Sequence, residues 1–144
     1  MNRIVKTFEK AYVTAKRKSW DRLYVAVDLH ETALKPTWQK EISKEYYPFA
    51  KEVLQVLSDR KDICLILWSC SLPELNKEYF EFFKQDGINF DYINENPEVG
   101  STEYADFETK LYFSLGLDDK FGFDPDEDWE PLFNYLQDKQ NANT

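Results

Sequence analysis

Three aspartates stand where apolar runs of this chain end. Asp28 follows Leu23-Tyr24-Val25-Ala26-Val27, and Asp118 with Asp119 follows the run 113–117. Ser69 closes Ile63-Cys64-Leu65-Ile66-Leu67-Trp68, and Asn94 closes the run 88–93. If these runs are parallel strands, their carboxyl ends share one edge of a sheet, which is where α/β folds bind ligands. Three carboxylates gathered there repel one another unless a cation joins them. The chain has one histidine, and its two cysteines, Cys64 and Cys70, form no Cys-x-x-Cys pair, so a zinc site has no ligands to draw on. Oxygen donors alone favour Mg²⁺.

The elements that must position these groups can be read from periodicity. Ile4, Phe8, Ala11 and Ala15 recur at helical spacing, which predicts an amphipathic helix over 4–18. The run 23–27 is short, continuous, apolar and rich in β-formers, as in a strand buried on both faces. A second helix is expected over 46–57, with Phe49, Val53, Val56 and Leu57 on one face, and a second strand over 63–68. Pro73 opens a third helix that ends at Gly87, a C-cap glycine. Strands over 88–93 and 113–117 and a helix over 129–136 follow, with a polar tail, 137–144, expected to fray. Strands alternating with helices predict a three-layer α/β/α, Rossmann-like domain with a mainly parallel sheet. At 144 residues the chain suits one domain: an N-terminal helix (1–20), a core (22–136) and the tail (137–144).

A net charge of −9 argues against a broad nucleic-acid-binding face, and the basic cluster Lys16-Arg17-Lys18 reads as the solvated side of a helix. A phosphate ester stays possible as substrate, because a divalent cation inverts the local field. The early charges Arg3 and Lys6 do not suit a signal peptide, and no apolar run approaches about 20 residues, so a cytoplasmic protein with no membrane partner is expected.

The segment Asp28-Leu29-His30-Glu31-Thr32 resembles motif I of the haloacid dehalogenase-like (HAD) superfamily, Asp-x-Asp-x-Thr at the end of an apolar strand. Ser69 matches motif II, and Lys110 with Asp118-Asp119 matches motifs III and IV in order, so the likeness spans about residues 22–125. The resemblance implies a short, minimally capped HAD hydrolase, and above all a phosphatase acting on a phosphate monoester. In that reading Asp28 is the nucleophile that carries an aspartyl-phosphate and also ligates Mg²⁺. Asp118 ligates the metal, Asp119 ligates it or holds one of its waters, and the backbone carbonyl of His30 completes the site. Ser69 bonds a phosphoryl oxygen, Lys110 neutralises the phosphate and keeps Asp28 ionised, and Thr32 braces the turn.

His30 departs from the family pattern, which has a second aspartate as general acid/base. A histidine has a suitable pKa range for that work. It is equally what a catalytically silent HAD-like binding module would show, and another HAD activity such as dehalogenation is a third reading. Lys110 as a solvated lysine, Ser71 in place of Ser69, and Asp118-Asp119 as turn residues are the ordinary alternatives at those positions. Trp68, Trp129 and the phenylalanines at 80 and 83 read as core. Asn94-Glu95-Asn96 lies on the ligand edge, and residues 33–45 are too few for a cap domain, which leaves the site open. The substrate is then a small phosphorylated molecule or a phosphate exposed on a larger one, with nucleic acid expected only as a substrate end.

Overall fold

The computed structural model describes residues 1–142, so 143 and 144 of the expected tail lie outside the described residues. Helix α1 (Arg3–Arg17) starts where the Asn2 side chain accepts from the N–H groups of Ile4 at 2.8 Å and Val5 at 3.3 Å. That cap satisfies two of the four amides a helix start leaves open. The helix buries Ile4, Val5, Phe8, Ala11 and Ala15. Strand β1 (Leu23–Asp28), helix α2 (Ala50–Asp59), strand β2 (Ile63–Trp68) and helix α3 (Pro73–Gln85) follow. Strands β3 (Tyr92–Ile93) and β4 (Leu115–Leu117), a 3₁₀ turn (Asp119–Phe121) and helix α4 (Trp129–Ala142) complete the chain.

The fold is α/β, with one four-stranded, all-parallel sheet of order β3-β2-β1-β4. Pleating sends Leu23, Val25, Val27, Ile63, Leu65 and Leu67 into a core shared with all four helices. Each fully buried leucine there, such as Leu54 or Leu57 of α2, contributes about 1.5–3 kcal/mol over its exposed state. Tyr24, Cys64 and Ile66 face the other way and meet Val99, Leu111 and Tyr112 of the β3–β4 crossover, together with Trp20. Right-handed connections account for this division. β1→β2→β3 moves one way along the sheet and keeps α2 and α3 on one face, whereas the return to β4 runs over the other. The outer layer on that second face is the irregular crossover, so the arrangement is Rossmann-like with helices concentrated on one side.

Several boundaries differ from expectation. Helix α2 begins at Ala50, not at 46, because Pro48 bars its predecessor from α geometry and Phe49 sits at φ 68. Only Tyr92 and Ile93 of the run 88–93 pair, opposite Ile66 and Leu67. Ile88 and Phe90 are buried instead as core plugs. The tail is helical through Ala142. Gln, Asp and Lys extend a helix already anchored by Trp129, Leu132 and Leu136, and Lys139 Nζ lies 3.9 Å above the Tyr12 ring. Among the described residues no helix is long and apolar enough to cross a membrane.

Candidate metal centre and active site

Register brings the acids together. Val27 pairs with Leu117, so the next residues, Asp28 and Asp118, leave adjacent strands side by side. β1 and β4 flank the point where the strand order reverses, the usual ligand crevice of such sheets. Carboxylate oxygens of Asp28, Asp118 and Asp119 all lie within 4.8 Å of one another. Burial, and then the nearby Asp118 carboxylate, push the Asp28 pKa up to about 7. This crowding is what a divalent cation relieves, and the donors are all oxygen. Such a donor set suits a hard divalent cation.

Two turns hold the cluster. After β1 the chain winds tightly, and the Leu29 carbonyl accepts from the N–H groups of Thr32, Ala33 and Leu34. The His30 carbonyl accepts none of the backbone hydrogen bonds among the described residues, so its oxygen is left for another partner. Thr32 is fully buried, and its hydroxyl lies 3.1 Å from both Asp28 Oδ2 and Asp119 Oδ1. It also accepts from the Asp119 N–H at 2.9 Å. After β4, Asp118 accepts the Lys120 N–H through Oδ1 at 2.9 Å and caps the 3₁₀ turn. Thr32 thus braces not only its own turn but the partner turn 87 residues away.

A cavity of about 1120 Å³ opens over this cluster. Asp28, His30, Ser69, Asn94, Asp118 and Asp119 all line it. Ser69 is fixed from its neighbour strand: Asn94 Oδ1 accepts from the Ser69 N–H at 2.8 Å and Asn94 Nδ2 donates to the Ser69 carbonyl at 2.7 Å. Ser69 Oγ accepts from the Ser71 N–H at 3.1 Å, which leaves its own hydrogen to donate outward. Ser71 lines the cavity too. Residues 36–39 form part of the wall, with Trp38 84% exposed at φ 58. Trp68 is half-buried and lines the cavity, unlike Trp129 and Phe83, which are core as expected.

His30 is bound to α3. Its Nε2 lies 2.7 Å from the Tyr79 hydroxyl, which also accepts from the Ser43 N–H at 3.0 Å. Tyr79 is 2% exposed, so a phenol hydrogen without a partner would be costly. The assignment that satisfies every group has Tyr79 donating to Nε2, with the proton of the neutral ring on Nδ1. Burial holds the imidazole below its usual pKa, against the upward pull of Glu31.

Lys110 is not brought to the cluster. Its side chain is exposed, and although Thr109 and Leu111 line the cavity, Lys110 does not. Lys110 lies in the irregular crossover between β3 and β4, which carries no helix to direct it inward. Lys120 is the one lysine or arginine among the described residues that lines the cavity. Its position directly after the acidic pair was the available sequence signal for it. Periodicity gives no hint of the Tyr79–His30 bond, because a tyrosine within a helix carries no sign of what its hydroxyl will meet.

No family model and no curated protein matches the chain. A solved structure described as a conserved protein coded by a locus from Bacteroides thetaiotaomicron is similar in fold, with a TM-score of 0.62 and 29% sequence identity. The match covers 82% of this chain and 92% of that one, and the description names no ligand or activity.

Proposed function

We propose that the chain is a Mg²⁺-dependent phosphohydrolase of the HAD type, cleaving a phosphate monoester through an aspartyl-phosphate on Asp28. The observation that carries this reading is the convergence of Asp28, Asp118 and Asp119 at neighbouring strand ends, within 4.8 Å, with Thr32 bridging the two turns. When bound, Mg²⁺ would neutralise these carboxylates and stabilise charge on the transferring phosphoryl group. Asp28, Asp118, Asp119 and the His30 carbonyl would hold it.

An Asp28 carboxylate oxygen attacks phosphorus, the bond to the ester oxygen breaks, and the alcohol departs with a proton. Water then attacks the acyl phosphate, freeing inorganic phosphate and restoring Asp28. Ser69 Oγ–H donates to a phosphoryl oxygen. His30 stands where a proton donor is needed: its imidazolium form would give the Nδ1 proton to the departing alcohol oxygen, and the neutral ring left behind would take a proton from the attacking water. Hydrolysis of an aryl phosphate with and without Mg²⁺ tests the reading, alongside Asp28→Asn. Turnover that needs Mg²⁺ and vanishes in the variant supports it, and turnover that survives the substitution refutes the nucleophile.

His30 favours a second reading, a domain that binds cation and phosphate without turnover. Its Nε2 is engaged by Tyr79, and its lowered pKa reduces the imidazolium fraction that a general acid needs at neutral pH. Mg²⁺ binding with no hydrolysis across a panel of phosphate esters would select this reading. His30→Asp, which restores the usual carboxylate, would then create or raise activity.

A further inference from the structure

Trp129, the first residue of α4, is 1% exposed and lies outside the cavity lining. Its indole Nε1–H donates to the Thr32 carbonyl at 2.8 Å, across 97 residues of sequence. On its other side the ring meets Phe123 edge-on, with centroids 4.7 Å apart. Phe123 is bound in turn to the second acidic element, since its N–H donates to the Asp118 carbonyl at 3.2 Å. One indole therefore touches both turns: the β1 turn through a hydrogen bond to Thr32, and the β4 turn through Phe123.

We infer that Trp129 is a positioning residue that sets the spacing between Asp28 and the Asp118–Asp119 pair. The two turns have separate backbones, and the groups that join them directly are the Thr32 hydroxyl and the acids themselves. The hydroxyl is a weak strut, because it has one hydrogen for two carboxylates. The acids push apart. A rigid, buried ring bonded to the carbonyl of the same threonine fixes where that hydroxyl stands. Trp129→Phe keeps an aromatic body but leaves the Thr32 carbonyl without the indole N–H, in a buried place where water cannot replace it.

Two readouts test this, and only one rests on the Mg²⁺ reading above. Amide hydrogen exchange of metal-free protein follows the Asp119 N–H, whose acceptor is Thr32 Oγ1. In Trp129→Phe this amide should exchange about tenfold faster relative to the β4 amides, the scale of losing one ordered hydrogen bond. Calorimetric titration with MgCl₂ should show affinity lowered by roughly tenfold, the low end for losing a group that orients metal ligands. Leu136→Ala, fully buried in the same helix and away from the cavity, controls for general destabilisation. It should lower Tm at least as much while leaving both readouts within about twofold. Phe123→Leu, which removes the ring contact alone, should shift both readouts in the same direction and serves if Trp129→Phe does not fold. Equal effects in Leu136→Ala and Trp129→Phe, or unchanged Asp119 exchange in Trp129→Phe, would overturn the inference. If the unaltered protein binds no Mg²⁺ while Asp119 exchange responds as stated, the metal reading fails and the positioning role stands.

Discussion

The two edges of the sheet treat their carboxylates in opposite ways. At the amino end, Asp62 precedes β2 and accepts from Arg60 Nε and Nη2, both at 2.9 Å, and from the Tyr12 hydroxyl at 3.1 Å. Asp91 precedes β3 and meets Arg22 at 3.3 Å, and Arg22 also donates to the Ile63 carbonyl at 3.1 Å. At the carboxyl end, Asp28, Asp118 and Asp119 crowd together with no arginine among the residues lining their cavity. The consequences have opposite signs. Burial drives the Asp62 carboxyl up, but the Arg60 and Tyr12 hydrogen bonds outweigh it and hold its pKa below the usual range. Asp28, lacking such partners, rises to about 7. One edge is neutralised by the chain itself and serves stability, and the other keeps a charge imbalance that only something from outside can relieve.

The largest expected effect breaks the functional edge. Asp28→Asn should lower kcat toward an aryl phosphate by at least about a thousandfold, as loss of a nucleophile does, measured under saturating Mg²⁺. Its urea midpoint should stay level or rise, because the substitution removes repulsion while the amide keeps an oxygen to accept from the Thr32 hydroxyl. A fall in stability matching the fall in rate would erase the distinction between the edges. The mirror-image experiment is Arg60→Met, which leaves Asp62 half-buried without its cation. Stability should fall by about 1–2 kcal/mol, below the cost for a fully buried pair because Asp62 is 35% exposed. Chemical denaturation measures it, and kcat and KM should not move.

The pH dependence sharpens the same contrast. The folded pKa of Asp62 is depressed, so its contribution is fully present above its unfolded value, about 3.9, and is lost as pH falls through the lower folded value. The stability gap between the unaltered protein and Arg60→Met should therefore be constant from about pH 8 to 5 and close below about pH 4. A gap that widens in acid would show that Arg60 acts through packing of its stem instead.

How much of this was legible depends on whether a feature is local or spans the chain. The strands β1 and β2 could be read because their residues are apolar without a break, and the strand-end aspartates because polarity changes abruptly there. Register then did the rest: a parallel β1–β4 pair offset by nothing puts Asp28 beside Asp118. The start of helix α2 is not legible from the periodicity that runs from Tyr46 onward, although Pro48 carries the contrary signal. Lys110 could not be placed from spacing because its direction depends on whether 94–114 forms a helix, and that segment covers the sheet through Val99, Leu111 and Tyr112 in irregular form. Bonds such as Trp129 to Thr32 leave no periodic trace. Each end is an ordinary residue in its own segment, and only the fold makes them meet.

The smallest expected effect concerns the mouth of the cavity, where the carboxyl edge extends its imbalance outward. Glu31, Glu41, Glu95 and Glu108 line it from four separate segments, and none of them is in an ion pair among the described residues. Among the described residues, Lys120 is the one lysine or arginine that lines the cavity with them. A bound divalent cation would offset charge at the centre but not at this rim, so an anionic substrate approaches through a negative field. Salt screens such a field over a Debye length of about 10 Å at 0.1 M. KM for an aryl phosphate should therefore fall by about two- to threefold between low and physiological ionic strength, at fixed Mg²⁺ and with kcat unchanged. Glu95→Gln with Glu108→Gln should flatten that dependence, whereas Arg60→Met at the opposite edge should leave it intact. A KM that rises with salt would mean that positive charge governs entry, assigning the approach to Lys120 rather than to the glutamates.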